Sequence, residues 1–123
     1  MRLKFLRPGV KFSIWAIDLG EGATEDCPAS TFISSLGPTD QGKLVQLLKL
    51  HADKGPVMNE QKSRHLRDGI FEFKSGGYRI LWFYASDRRT VLTHHFSKGD
   101  KLTRELDRAI RMRADFLESE ARR

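Results

Sequence analysis

Gly76-Gly77, set between FEFKS and YRILWFY, limits this chain's possible folds more than any other feature. Both central residues of a type I′ hairpin turn need positive φ, which glycine adopts without steric cost. A two-residue turn pairs Ser75 with Tyr78. The two-residue period of strands then sets Lys74 opposite Arg79, Phe73 opposite Ile80, Glu72 opposite Leu81 and Phe71 opposite Trp82. A three-residue loop from Ser75 to Gly77 would instead place Arg79 opposite Phe73 on an apolar face, where an unpaired guanidinium is costly to desolvate. The two-residue turn is therefore the expected one.

A second hairpin is expected at Ser86-Asp87-Arg88-Arg89. An even-numbered loop there puts Leu92, His94 and Phe96 on the face of Arg79, with Val91, Thr93 and His95 opposite. One sheet face then carries Phe71, Phe73, Ile80, Trp82, Tyr84 and Val91, which suits a helical layer. The other mixes Glu72, Lys74, Arg79 and His94 with Ile70, Leu81, Phe83 and Leu92, and reads as only partly core. A basic residue such as Lys74 also serves simply to solvate a sheet edge.

Around this meander, Lys11 to Leu19 reads as the first strand, preceded by a basic segment, Met1 to Val10, that Pro8-Gly9 interrupts. Pro28 to Leu36 and a second helix ending before Gly55-Pro56, capped by Thr39 or Asp40, form a helical hairpin with the stripe Leu44, Leu47, Leu48 and His51. Asp100 is the expected N-cap of a long terminal helix reaching about Ala121, with Leu102, Leu106, Ala109, Ile110, Arg113, Phe116 and Leu117 on one stripe. Its opposite, mixed-charge face reads as a solvated one. The expected architecture is α+β: an antiparallel sheet of about four strands, with the N-terminal helical hairpin packed on its aromatic face and a long C-terminal helix.

At 123 residues the chain is expected to be one domain. Its formal charge of +6 is concentrated between Lys62 and Arg104, where ten Lys or Arg face four acids. Such a field favours polyanions, either nucleic acid or an acidic protein. The single Cys27 excludes an internal disulfide, and the histidines at 51, 65, 94 and 95 lack metal-ligand spacing, so neither metal nor cofactor is expected. There is no long apolar run and no signal-peptide pattern, so a cytoplasmic protein with no membrane partner is expected.

Four short motifs occur in order: Gly69 to Phe73, Tyr78 to Phe83, Leu92 to Lys98, and Glu105-Leu106 with Ala109. With the element order, they resemble the RelE/HigB superfamily of small bacterial toxins, most closely its phage-associated HigB-like branch. The resemblance covers the second half of the chain well and the first half by element order only. It implies a RelE-like fold and the toxin of a type II toxin–antitoxin pair, a metal-independent endoribonuclease that cuts mRNA, usually on the ribosome. The implied partner is a cognate antitoxin, acidic or of helix-turn-helix type. Arg79 matches the arginine after the tyrosine that contacts the scissile phosphate in RelE-like enzymes. Lys98 matches the basic residue after the last strand, His94 the histidine of that motif, and Glu72 and Lys74 the ionisable positions of the second strand. Two positions depart from the pattern: Lys98-Gly99 replaces a Lys-Lys pair, and Lys101-Leu102 replaces a Thr-Pro helix start.

RNA carries its own nucleophile, the 2′-hydroxyl, so a catalyst must remove that proton, stabilise the charge building on phosphorus and protonate the leaving oxygen. Arg79 suits the charge, with Lys98 reinforcing it. Glu72 or His94 suits the base, and His94 the acid. Lys74, Arg67 and Lys101 are the expected RNA contacts. Each has a plainer reading: His94 as a core histidine, Glu72 as an ion-pair partner, and Arg64, His65 and Arg67 as a solvated loop. A non-catalytic basic module binding an acidic protein or RNA, and a ParE-like gyrase inhibitor, are the competing functions.

Overall fold

The computed structural model describes residues 1–56, 59 and 61–122. Basic and apolar residues alternate in RLKFLR, and this segment forms the first strand, β1 (Arg2–Arg7). Beyond Pro8-Gly9 the chain returns as β2 (Ser13–Asp18), antiparallel to β1. Helices α1 (Pro28–Ser35) and α2 (Pro38–Lys54) follow, each with proline in its first turn, where the missing N–H costs nothing. The meander is β3 (Ser63–Arg67), β4 (Ile70–Ser75), β5 (Tyr78–Ala85) and β6 (Arg89–Ser97), and α3 (Leu102–Ala121) closes the chain.

The sheet has six strands in the order β1-β2-β6-β5-β4-β3, and it is mixed, because β2 runs parallel to β6. This corrects the expectation of an antiparallel sheet of about four strands with an N-terminal helical hairpin packed on one face. Two strands were missed. The Met1–Val10 segment is largely β1, whose alternation is short, rich in cations and cut off by Pro8-Gly9, and SRHLR is edge strand β3, rich in cations with Leu66 as its one apolar residue. The helical pair is consequently an internal crossover that leads from β2 towards the meander.

Helices cover both faces, where the expected layer covered one. Leu44, Leu47, Leu48 and Ala52 of α2, with Ala29 and Phe32 of α1, pack on Ile14, Ala16, Phe73, Ile80, Trp82 and Leu92. On the other face Leu106, Ala109, Met112 and Phe116 of α3 pack on Ile17, Ile70, Leu81, Phe83, Val91 and Phe96. The face read as partly ionic is thus largely core beneath α3.

The β4–β5 register runs from Ser75–Tyr78 to Phe71–Trp82, as the two-residue turn requires. Only Gly76 has positive φ, at +59°, so this is not the doubly positive I′ turn. The β5–β6 connection departs from the expected even-numbered loop. Ala85 pairs with Arg89, leaving the three-residue loop Ser86–Arg88 with Asp87 and Arg88 at positive φ. That odd loop puts Leu92 on the α1–α2 face and Val91 on the α3 face, the reverse of the expectation. A bulge then sets Thr93 and His94 against Leu81 and restores the parity, so Phe96 pairs with Arg79.

Candidate functional site

The β4–β5 turn and the end of β6 meet at one corner of the sheet. The Lys98 backbone N–H donates to the Gly77 carbonyl at 2.9 Å, drawing the chain after β6 alongside Arg79. A cleft of about 190 Å³ opens there, lined by Arg64, Glu72, Lys74, Arg79, Phe96, Lys98, Asp100 and Leu102. Four of its side chains are cationic and two are acidic.

Arg79 is half-buried, and its Nη1 donates to the carbonyls of Tyr78 (2.9 Å) and Gly76 (3.2 Å). Those bonds hold the guanidinium against its own turn. No described residue takes a hydrogen bond from Nε or Nη2, which leaves one edge of the planar fork for an anion. Beneath it Glu72, 1% exposed, accepts from Arg64 Nε at 2.8 Å and lies 3.9 Å from Lys74 Nζ. A buried carboxylate needs such partners, and here it orders two cations at the cleft wall.

The structure brings Arg79, Lys98, Glu72 and Lys74 to one place. His94, Arg67 and Lys101 do not join them. His94 is 1% exposed under the first turns of α3, with Nε2 3.1 Å from Glu105 Oε2 and Nδ1 3.2 Å from Thr93 Oγ1. Burial, and then the nearby Arg108 charge, lower its pKa against the opposing pull of Glu105. A sealed imidazole cannot meet a substrate, so its expected acid and base roles give way to a structural one linking α3 to the sheet. Arg67 is bound to Asp107 at 2.7 Å, on the flank of α3. Lys101 sits exposed at the α3 N-cap position, outside the cleft lining.

Two residues of the cleft were read otherwise from the sequence. The sequence pattern puts Arg64 in a loop, whereas it stands on β3 opposite Glu72. The charge pair at that register was the available signal, but it could be read only once the strand was recognised. Asp100 was assigned as the α3 cap; its Oδ2 instead accepts the Ser97 backbone N–H at 2.9 Å, and α3 begins without a side-chain cap. Asp100 is the exposed carboxylate of the cleft. Among the described residues no group of three His, Cys, Asp or Glu is placed to hold a metal ion.

The family described as Phage derived protein Gp49-like (DUF891) matches residues 31–114, more than half of the chain. The chain belongs to this Gp49-like family. That family sits within the RelE/HigB-like toxin superfamily. The match takes in α1 from Thr31 onward, α2, the whole meander and most of α3, hence every residue of the cleft; β1 and β2 lie outside it. No curated protein matches the chain. No helix among the described residues is long and apolar enough to cross a membrane.

Proposed function

We propose that this Gp49-like protein is the toxin of a type II toxin–antitoxin pair and cleaves mRNA at the Arg79 cleft, with the ribosome presenting the substrate. The observation that carries the reading is the convergence of Arg79, Lys98, Lys74 and Arg64 on one cleft beside an exposed carboxylate. Family membership supports the toxin context. In this mechanism the free edge of the Arg79 fork takes the non-bridging phosphate oxygens and gains strength as charge builds on phosphorus. Asp100 takes the 2′-hydroxyl proton, the 2′-oxygen bonds to phosphorus, and the bond to the 5′-oxygen breaks. Lys98 gives that oxygen its proton. Glu72 is a positioning residue that holds Arg64 and Lys74 and moves no proton. The antitoxin is an acidic partner or carries an acidic segment, matched to the charge of the cleft.

Comparing wild type with Arg79→Ala in a ribosome-containing translation reaction tests this. The expected loss of mRNA cleavage is about a hundred- to a thousand-fold with the fold intact. Equal cleavage by both proteins would remove the mechanism. Two observations favour the second reading, a basic module that binds without cutting: Glu72 is tied up in ion pairs, and His94 is sealed beneath α3. Intact mRNA beside salt-sensitive RNA binding would select it.

A further inference from the structure

A second cationic site stands at the opposite end of the central strands. β5 carries Arg79 near its start, and the turn after its far end carries Arg88, so a strand of eight residues, roughly 25 Å long, separates the two places. There Lys11, Phe12, Lys54, Gly55, Pro56 and Arg88 line a cavity of about 360 Å³, and among the described residues it gathers three cations and no acid. No ion pair joins any of the three to a described acid, in contrast to Arg2, Lys4, Arg64 and Arg67, which all have acidic partners.

The three come from separate segments, and backbone bonds fix them together. The N–H groups of Lys11 and Phe12 both donate to the Ala52 carbonyl near the end of α2, at 2.7 and 3.0 Å. Gly9 permits that approach, since a Cβ there would collide with Ala52 and with the Phe12 carbonyl. Gly55, at φ +92°, ends α2, and the Lys11 stem passes over it. The Ser13 N–H donates to the Arg88 carbonyl at 3.0 Å and brings in the third segment. Arg88 is left-handed, with φ +54°, a conformation costing a non-glycine residue about 1–2 kcal/mol. Glycine or asparagine would suit the turn better, so an arginine kept there at a cost in strain points to a use for its side chain.

We propose that Lys11, Lys54 and Arg88 form a second phosphate-binding site that holds the RNA backbone away from the cleavage cleft. The inference rests on the RNA reading above and adds where the strand, or the ribosomal RNA presenting it, is gripped. The site's chemistry favours phosphate over an acidic protein. Phe12 is its one aromatic wall among the described residues, and that ring is taken up by stacking on His51 and a tilted contact with Tyr84, leaving charge and no free aromatic anchor there.

The test is the salt dependence of binding to a short single-stranded RNA blocked against cleavage by 2′-O-methyl groups. The triple variant Lys11→Ala, Lys54→Ala, Arg88→Gly removes the charges and relaxes the turn, and circular dichroism checks its fold. The expected result is RNA binding weakened by tenfold or more, with the slope of log K against log salt reduced by about two. A second triple variant, Lys11→Arg, Lys54→Arg, Arg88→Lys, keeps the charges and should keep the slope. Unchanged RNA binding by the alanine-glycine variant overturns the site. Weakened binding of a poly-glutamate peptide with RNA binding unchanged overturns it in favour of an acidic protein. Cleavage is blocked throughout, so loss of slope supports the site even if wild type proves unable to cut RNA.

Discussion

His51 has no solvent-exposed surface, and burial pushes its pKa down to about 4. Nε2 is 2.8 Å from Thr90 Oγ1, while Nδ1 finds no hydrogen-bond partner among the described residues and the ring stacks on Phe12. The ring is therefore neutral in the fold and takes up a proton near pH 6.5 only when the chain unfolds. Its contribution is fully present above pH 6.5 and is lost as pH falls towards 4, by about 3 kcal/mol in all. Urea titrations across that window should show this decline, and His51→Phe should flatten it; an unchanged acid limb in the variant would contradict the assignment. The sequence placed His51 on the apolar stripe of its helix, and the structure agrees. It likewise placed Arg79, Lys74 and Glu72 side by side, because the glycine turn fixes their register. It could not seal His94, because alternation tells which face a side chain takes and not which helix covers that face.

At the level of elements, the β4–β5 hairpin rests on one glycine conformation. A Cβ at Gly76 or at Gly77 would touch nothing within 4 Å, so crowding cannot separate the two positions. Only Gly76 is left-handed, and Gly76→Ala should cost about 1–2 kcal/mol while Gly77→Ala costs much less, as read by denaturant midpoints. Equal losses at both positions would mean that the turn has both glycines at positive φ. The β5–β6 connection was less legible. Ser86-Asp87-Arg88-Arg89 has turn character without a glycine to mark its left-handed positions, so loop parity was open. The bulge at Thr93-His94 has no sequence mark either. The two irregularities offset each other: Phe96 reaches the expected face while Val91 and Leu92 exchange faces. β1 and β3 were missed for the opposite reason, since sheet edges need few apolar residues to be stable.

For the whole molecule, one cluster of cations stands at each end of the central strands. In the proposed function one end supplies the groups for phosphoryl transfer, and in the further inference the other supplies only grip. The sequence located the basic stretch from Lys62 to Arg104 but not the second site, because Lys11 and Lys54 lie outside that stretch and meet Arg88 only through the crossover from β2 through α2 and the parallel pairing of β2 with β6. In the proposed function the Arg79 cleft breaks a phosphodiester using the RNA's own 2′-hydroxyl, and the chemistry is written in the termini of the cleaved RNA. Cleavage of ribosome-bound mRNA in EDTA-treated initiation complexes, stabilised with polyamine in place of magnesium, should leave 2′,3′-cyclic phosphate and 5′-hydroxyl ends. It should stop when the nucleotide before the cut is 2′-deoxy. Fragments with 5′-phosphate ends, or undiminished cleavage at the deoxy position, would contradict the account.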